Sequence, residues 1–144
     1  MNHIQTTPPI TADLVAESER LSFLPTFFGP RLMLRGEVLV FGWLDRLSAD
    51  YTGGLWNFYT LMNGGFYLAP STSKRMRLAV EGNGFDGRMS ADAAGVVATL
   101  FALDQLAGEL PDSEARDNLI DHFHSLRDYA KKHAEAHLIF RAID

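Results

Sequence analysis

The chain has 144 residues, of which 47% are hydrophobic. This length accommodates one compact domain that buries about two-thirds of the surface its unfolded chain would expose. Its 13 Lys and Arg against 18 Asp and Glu give a net charge of −5, which argues against a generic DNA-binding protein and is too small for a mimic of DNA phosphates. The absence of cysteine excludes disulfides, thiol catalysis and thiolate zinc sites, and it fits a reducing compartment.

The first residues differ in composition from the rest of the chain. Residues 1–10 carry two threonines and two adjacent prolines with little to bury, which predicts a flexible arm ahead of a single domain over 11–144. No apolar run approaches the ~20 residues of a membrane span, and the N-terminus has neither the basic nor the apolar part of a signal peptide. We therefore expect a soluble cytoplasmic protein without a membrane partner.

Helical signals come next along the chain. Short helical turns are predicted over 12–28, because Pro25 and the Gly29-Pro30 pair interrupt a longer helix and leave the phenylalanines of this segment to cover the core. Between residues 34 and 49, apolar side chains recur at the spacing of a helix. They are Leu39, Val40, Trp43, Leu44 and Leu47.

Two hairpins are predicted in the middle of the chain. Asn63-Gly64 separates two aromatic, β-prone runs and is a strong signal for a two-residue turn, which would place Leu61 opposite Phe66. The Asn83-Gly84 pair gives the same signal and is followed by a returning strand over 85–89. The aromatic side chains of the first hairpin are too many for one face, so we expect the second face to be covered as well.

The second hairpin also contains a G-x-G-x-x-G pattern, formed by Gly82, Gly84 and Gly87. In a dinucleotide-binding fold this pattern opens straight into a helix, and an acidic residue follows about 20 positions later at the end of a second strand. Here a hairpin turn comes first, and Asp104, near the required distance, falls inside a predicted helix. The glycines are therefore predicted to serve turns, and no nicotinamide or flavin cofactor is expected.

The last third of the chain is predicted to be helical. Ser90 is a good N-cap for a buried helix over 91–110, and Asp112 or Ser113 begins another helix with an apolar stripe. A short helix follows near the C-terminus. The order of helices, antiparallel strands and helices predicts an α+β fold, in which a small antiparallel sheet of hairpins packs with several α-helices.

Familiar catalytic and metal-binding motifs are absent: the sequence has no Walker loop, no H-E-x-x-H and no G-x-S-x-G. His122 and His124 point away from each other on a helix, which predicts surface histidines. A calcium loop around Asp86 is disfavoured, because Phe85 stands where an oxygen ligand is needed. One alternative stays open, a small ligand-binding protein or hydrolase that uses Glu37 and Asp86.

The motifs "FGPR", "NGGFY", "GNGF" and "SADAAG" occur in this order, and "FRAID" ends the chain. Together these stretches resemble the plasmid-borne antirestriction proteins of the ArdB/KlcA family, and the similarity spans roughly residues 20–144. The resemblance implies a small α+β protein of mobile genetic elements that protects DNA entering by conjugation or infection from type I restriction-modification enzymes. It implies no catalytic residue, no cofactor and no strong acidity, in agreement with the charge of −5.

The implied partner is the type I restriction-modification complex, met either through a protein surface or by obstruction of its movement along DNA. Interaction residues are expected among aromatic and arginine anchors with a charged rim. The candidates are Arg20, Arg31, Glu37, Trp56 and Asp144. Each also has an ordinary explanation, since Trp56 fits a core position, Glu37 fits a pair with Arg35, and a terminal Asp is usually solvated.

Two further expectations concern partners. The dispersed cations predict weak, salt-sensitive DNA binding at most. A monomer or weak homo-oligomer is expected. Between Asp104 and Asp121 the chain has six carboxylates and one cation, Arg116, which is typical of a solvated helix face and is the second choice for an interaction surface.

Overall fold

The computed structural model describes residues 9–144, and within this range the chain is an α+β domain. Within the described residues, five strands and two helices are formed by the end of the second hairpin, and three helices follow it. In chain order the elements are β1 (Ala12–Leu14), α1 (Arg20–Phe28), α2 (Met33–Leu47), β2 (Trp56–Leu61), β3 (Phe66–Pro70), β4 (Met76–Val80), β5 (Phe85–Met89), α3 (Ala91–Gly108), α4 (Glu114–Ala130) and α5 (Ala136–Ile143), with one 3-10 turn at Glu17–Glu19.

The strands form two antiparallel sheets rather than one. β2 lies between β1 and β3 in the first sheet, and β4 pairs with β5 in the second. The helical turn predicted at residues 12–14 is wrong, because Ala12 pairs with Leu61 and Leu14 with Tyr59 across the free edge of β2. Three residues carry too little local signal to reveal a partner strand so distant in sequence.

The first hairpin is confirmed, but its predicted register is wrong by one residue. Thr60, not Leu61, lies opposite Phe66. The loop has three residues instead of two: the Gly64 N–H donates to the Leu61 carbonyl at 3.0 Å, and the Leu61 N–H donates to the Gly65 carbonyl at 2.9 Å. Gly64 has φ of 90°. A type I turn followed by a left-handed glycine is the usual three-residue alternative to the tight two-residue turn.

The second hairpin is confirmed, but the two-residue turn predicted at Asn83-Gly84 is wrong. Val80 lies opposite Phe85, so the loop has four residues, 81–84, and Gly87 lies within β5 instead of in a turn. The Gly84 N–H donates to the Val80 carbonyl at 3.0 Å, and Gly84 has φ of 73°, a conformation that disfavours a β-carbon. The Asn83 side chain accepts from the Phe85 N–H at 2.9 Å and donates to the Ala142 carbonyl at 2.9 Å. The turn is therefore built from its own hydrogen bonds and anchored to α5.

α3 is the centre of the core. Its N-cap is Ser90, as predicted, whose Oγ accepts from the Ala93 N–H at 3.1 Å. The helix is buried on almost every side, with α2 and α4 packed most extensively against it and β3 and α5 completing the cover. A β-carbon on Gly95 would collide with the Leu68 carbonyl, so glycine lets α3 lie directly on β3. The buried Thr99 hydroxyl accepts from the Leu68 N–H at 3.2 Å at the same contact.

The phenylalanines before α2 cover the core, as expected. The interruption predicted at Pro25 is wrong, because α1 is one nine-residue helix that contains Pro25 and ends before Gly29. The proline removes one backbone hydrogen bond, and burial of Phe23 and Phe28 favours the helix all the same. Phe23 stacks on Phe58 with ring centroids 4.7 Å apart, and Phe28 meets Phe66 edge to face at 5.1 Å. These rings cover the face that carries Phe58 and Phe66, while α3 lies against the opposite face at Ala69. Both faces of the first hairpin are therefore covered, in agreement with its aromatic content.

The arm predicted over 1–10 lies mostly outside the described residues. Ile10, at its end, packs against the core, and the neighbouring Thr11 carbonyl accepts from the Met62 N–H at 3.1 Å. Within residues 9–144, no helix combines the length and apolarity that crossing a membrane requires.

Candidate interaction surface

Arg20 and Trp56 are in direct contact. Arg20 Nη2 donates to the Trp56 carbonyl oxygen at 2.7 Å, and its guanidinium lies 4.3 Å from the centroid of the Phe58 ring. The Trp56 side chain is 5% exposed, and its Nε1 donates to the Tyr51 hydroxyl at 3.1 Å. Trp56 therefore occupies the core position that the sequence leaves open, and it is not available as an exposed anchor.

The surface around this contact combines exposed apolar and charged side chains. A shallow cavity of about 380 Å³ lies over the Arg20–Trp56 contact. Two strongly exposed leucines border it, Leu14 at 60% and Leu55 at 81%. We call this region the Arg20 patch and define it by Leu14, Glu17, Arg20 and Leu55. An arginine held in place beside exposed apolar side chains and a carboxylate is typical of an interface anchor.

α2 exposes a second mixed surface. Leu34 and Val38 are 70% and 59% exposed, and Glu37 is half-buried between them in sequence. Residues three and four apart share a helix face, so these side chains are neighbours. Arg31 is exposed in the turn before α2. We call Arg31, Leu34, Glu37 and Val38 the α2 face.

Glu37 does not pair with Arg35, so that sequence-based alternative is wrong. Arg35 forms a two-point contact with Glu109, with Nη2 to Oε2 at 2.7 Å and Nε to Oε1 at 3.1 Å. This exposed pair links α2 to the end of α3. Hydrogen bonding to Arg35 lowers the pKa of the Glu109 carboxyl. Arg35, the cation nearest to Glu37 in the sequence, is therefore paired with a carboxylate at the end of α3.

Asp86, the other carboxylate of the hydrolase alternative, is part of a surface ion pair. Arg77 Nε donates to Asp86 Oδ1 at 2.8 Å across the β4–β5 hairpin. The hydrogen bond from Arg77 lowers the pKa of Asp86, so it stays ionised. Among residues 9–144, no group of three His, Asp or Glu side chains could hold a metal ion. A catalytic use of Asp86 would first require breaking its pair with Arg77.

Asp144 lies in a separate part of the molecule's surface. It borders an open cavity of about 640 Å³ between the β4–β5 turn and α5, together with Phe85, Phe140 and Arg141. Within the described residues, no hydrogen bond or ion pair connects Asp144, Arg31 or Glu37 with the Arg20 patch. The structure therefore brings together Arg20 and Trp56. Arg31 and Glu37 lie on the α2 face, and Asp144 lies beside α5.

Sequence reasoning misses a polar cluster at the N-terminus of α3. The Tyr67 hydroxyl donates to Asp92 Oδ1 at 2.7 Å, and His133 Nε2 lies 2.7 Å from Asp92 Oδ2. The Glu135 N–H donates to His133 Nδ1 at 2.9 Å, so Nδ1 is an acceptor and Nε2 carries the proton given to Asp92. Burial alone would raise the pKa of Asp92, but the bonds from His133 and Tyr67 outweigh it and hold that pKa below its usual range.

The Glu135 carboxylate completes this cluster. It accepts from the Ser90 N–H at 2.9 Å and from the Ser90 hydroxyl, and it lies 3.4 Å from Arg75 Nη2. Burial raises the pKa of Glu135, but the two bonds from Ser90 outweigh it, and the net shift is downward. We call Tyr67, Ser90, Asp92, His133 and Glu135 the polar lock.

The hydrogen bonds of the polar lock connect three segments of the chain. They join β3 and the start of α3 to the segment between α4 and α5. Burial, followed by bonds to Tyr129 and Asp92, raises the pKa of Tyr67, so the phenol is no nucleophile at neutral pH. Two members carry a local sequence signal: Ser90 as an N-cap and Asp92 as an acid in the first turn of the helix. The partners come from distant segments, and no local pattern predicts them.

Comparison with known proteins places the chain in one family. The family model described as "Antirestriction protein" matches residues 49–144. Antirestriction protein KlcA of Escherichia coli is 60% identical over 136 residues, covering 94% of this chain and 96% of that protein. A second KlcA of Escherichia coli is 59% identical over 146 residues, with both chains fully covered.

A solved structure agrees over the full length, with a TM-score of 0.89, 57% sequence identity and complete coverage of both chains. That work describes the KlcA and ArdB proteins as having a novel fold and antirestriction activity against type I DNA restriction systems in vivo but not in vitro. The resemblance seen in the sequence motifs is thus confirmed along the whole chain. The protein belongs to the antirestriction protein family.

Proposed function

We propose that this chain inhibits host type I restriction-modification enzymes by non-catalytic interference and so protects incoming plasmid or phage DNA. The observation that carries the proposal is the full-length match, at 57% identity and a TM-score of 0.89, to a structure of proteins with that activity in vivo. Two thirds of the chain, residues 49–144, also match the family model itself. We place this action in the cytoplasm, because a chain without cysteine needs no oxidising compartment to fold.

The arrangement of charged groups supports interference by contact rather than by chemistry or DNA mimicry. The carboxylates of the hydrolase alternative do not converge: Asp86 is held by Arg77, and Glu37 is on the α2 face. A net charge of −5 is modest, and imitation of DNA would need rows of carboxylates at the phosphate spacing. Contact through a protein surface therefore accounts for the activity with the groups that are present.

The Arg20 patch is the contact surface that we favour. It offers two exposed leucines and an arginine whose guanidinium is fixed at 2.7 Å to a backbone carbonyl, so little side-chain freedom is lost on binding. The α2 face, with Arg31 and Glu37, is the next candidate, because Leu34 and Val38 are similarly exposed. Asp144 remains a third, separate candidate.

Phage plating tests the function. Efficiency of plating is measured on hosts with different type I systems, with and without the expressed chain, and protection is expected on at least one of them. The assay is done in cells because the related proteins act in vivo but not in vitro. Unchanged restriction on every host would contradict the proposed function.

The surface is tested with matched exposed residues. Leu55→Asp should abolish or strongly weaken protection, whereas Met62→Asp, at a turn with a comparable 71% exposure, should leave it intact. Both purified variants should unfold at the temperature of the unmodified protein, because neither side chain is in the core. Full protection by Leu55→Asp would exclude the Arg20 patch and move attention to the α2 face and then to the acidic stretch over 104–121.

A further inference from the structure

We propose that a groove on the β4–β5 side of the molecule binds the phosphate group of an anionic ligand. The groove has a volume of about 420 Å³ and lies between the loop after α2 and the loop joining β3 to β4. This volume falls within the range of roughly 300–1,000 Å³ common for small-molecule sites. We call it the basic groove. The lining residues that matter here are Thr52, Gly53, Thr72, Lys74, Arg75 and Arg88.

The groove is cationic in an acidic protein. Lys74, Arg75 and Arg88 line it, and Asp50 is the one carboxylate among its lining residues. Asp50 is already engaged, because its Oδ2 accepts from the Arg77 N–H at 2.8 Å. In the part of the chain that the structure describes, neither Lys74 nor Arg88 has a carboxylate within 4.0 Å. Arg75 is paired with Glu135 at 3.4 Å, so Lys74 and Arg88 are the groove cations without a carboxylate partner among the described residues.

The strand register adds a repulsion that an anion would relieve. Arg77 and Arg88 lie directly opposite each other in the β4–β5 pair, and like charges in that position are destabilising. Arg77 is compensated by Asp86, with Nε to Oδ1 at 2.8 Å. Arg88 has no such compensation from an acidic side chain within residues 9–144, and its side chain borders the groove. A bound anion would supply the missing partner.

The remaining donors suit a phosphate oxyanion. Arg75 Nη2 donates to the Arg88 carbonyl at 3.2 Å, which holds the Arg75 guanidinium next to β5. The Thr72 Oγ1 accepts from the Lys74 N–H at 3.2 Å, so its own hydroxyl hydrogen remains to be donated. Within residues 9–144, the Thr52 and Gly53 N–H groups make no hydrogen bond to the protein. Arginine forks, hydroxyls and free backbone amides are the groups that bind phosphate in proteins.

Titration of the full chain with inorganic phosphate tests the proposal. Backbone amide signals are followed by NMR at constant ionic strength, with chloride as the replaced anion. We expect saturable shifts confined to the residues that line the basic groove. ATP and a short DNA duplex are titrated in parallel: tighter binding of ATP identifies a free polyphosphate as the source, and tighter binding of duplex identifies the DNA backbone.

The double variant Lys74→Gln and Arg88→Gln should weaken phosphate binding by about tenfold or more, because two charge-assisted contacts are lost. Arg31→Gln removes one equally exposed cation at the opposite end of α2 and should leave binding unchanged. Shifts that are absent, spread over the whole surface or retained in the double variant would overturn the site. Phage protection is not a readout here, so the outcome is independent of the proposed function.

Discussion

Asp92, in the first turn of α3, and His133, just beyond α4, are joined by a 2.7 Å hydrogen bond whose direction is fixed. The Glu135 N–H donates to His133 Nδ1 at 2.9 Å, so Nε2 is the ring nitrogen that faces the carboxylate. The Asp92 carboxylate also accepts from the Tyr67 hydroxyl at 2.7 Å, so its ionised form is held by two side chains.

The acid response can be predicted from Asp92. Its folded-state pKa is lowered from the ordinary 3.8, so the unfolded chain binds the proton more readily. The stabilisation is complete above the ordinary pKa and is lost as the pH falls through it toward the folded pKa. We expect the melting temperature of the unmodified protein to fall more steeply below about pH 4 than that of Asp92→Asn.

Asp104→Asn is the control for this experiment, because it removes an exposed carboxylate from the same helix. Its melting temperature should follow that of the unmodified protein across the acid range. Equal slopes for the unmodified protein and Asp92→Asn would show that the Asp92 contacts contribute nothing to acid sensitivity.

The close approach of α3 to β3 gives a second prediction. Gly95→Ala should lower the free energy of unfolding by about 1–3 kcal/mol, because the added β-carbon meets the Leu68 backbone and the Ala69 side chain. Gly108→Ala, at the end of the same helix with open space around its Cα, should have almost no effect. Urea denaturation measures both. A Gly95→Ala variant as stable as Gly108→Ala would mean that the two layers can separate without cost.

Gly84, in the turn of the second hairpin, gives a third prediction. Gly84→Ala should cost about 1 kcal/mol, since φ of 73° is unfavourable for a residue with a β-carbon. Gly82→Ala, in the same turn without a left-handed φ, should cost less. Thermal unfolding compares the two. NMR signals of residues 82–87 should also stay in place when nicotinamide or flavin dinucleotides are added, and local shifts there would restore a cofactor role for the glycine pattern.

The burial of Trp56 gives a fourth prediction. Trp56→Ala should cost about 3–5 kcal/mol, because the 5% exposed indole fills the space against Phe41 and Tyr51. Any loss of phage protection in that variant should therefore accompany a loss of folded protein, measured by circular dichroism. Trp56→Phe should keep most of the fold. A fully stable Trp56→Ala that fails to protect would instead assign the indole a direct contact.

The sequence is informative where a signal is local. Ser90 as an N-cap and the helix after it, the two hairpins, and the helix over α2 all follow from spacing, caps and turn residues. The register of the first hairpin does not, because "MNGG" permits both a two-residue and a three-residue loop, and the choice depends on which residues face the core. β1 likewise depends on an edge supplied from afar.

Sites assembled from distant segments cannot be predicted from local sequence signals, because their partner residues come from far away in the chain. Lys74 and Arg75 are adjacent in the sequence, and the pairing of β4 with β5 is what brings Arg88 to the same groove. The polar lock joins Tyr67 with Asp92 and His133 through tertiary packing alone. Trp56 could be recognised as an anchor or a core residue, and only its burial decides between them.

The burial of α3 has a consequence for synthesis. The region matched by the family model starts at residue 49, after α2 has ended, yet α2 provides one of the two most extensive covers of α3. A chain expressed from residue 49 onward would present that side of α3 to water and would be prone to aggregate. During synthesis α3 leaves the ribosome after α2 but before α4. The apolar side of α3 that α4 covers in the folded protein is therefore exposed to water until α4 has emerged.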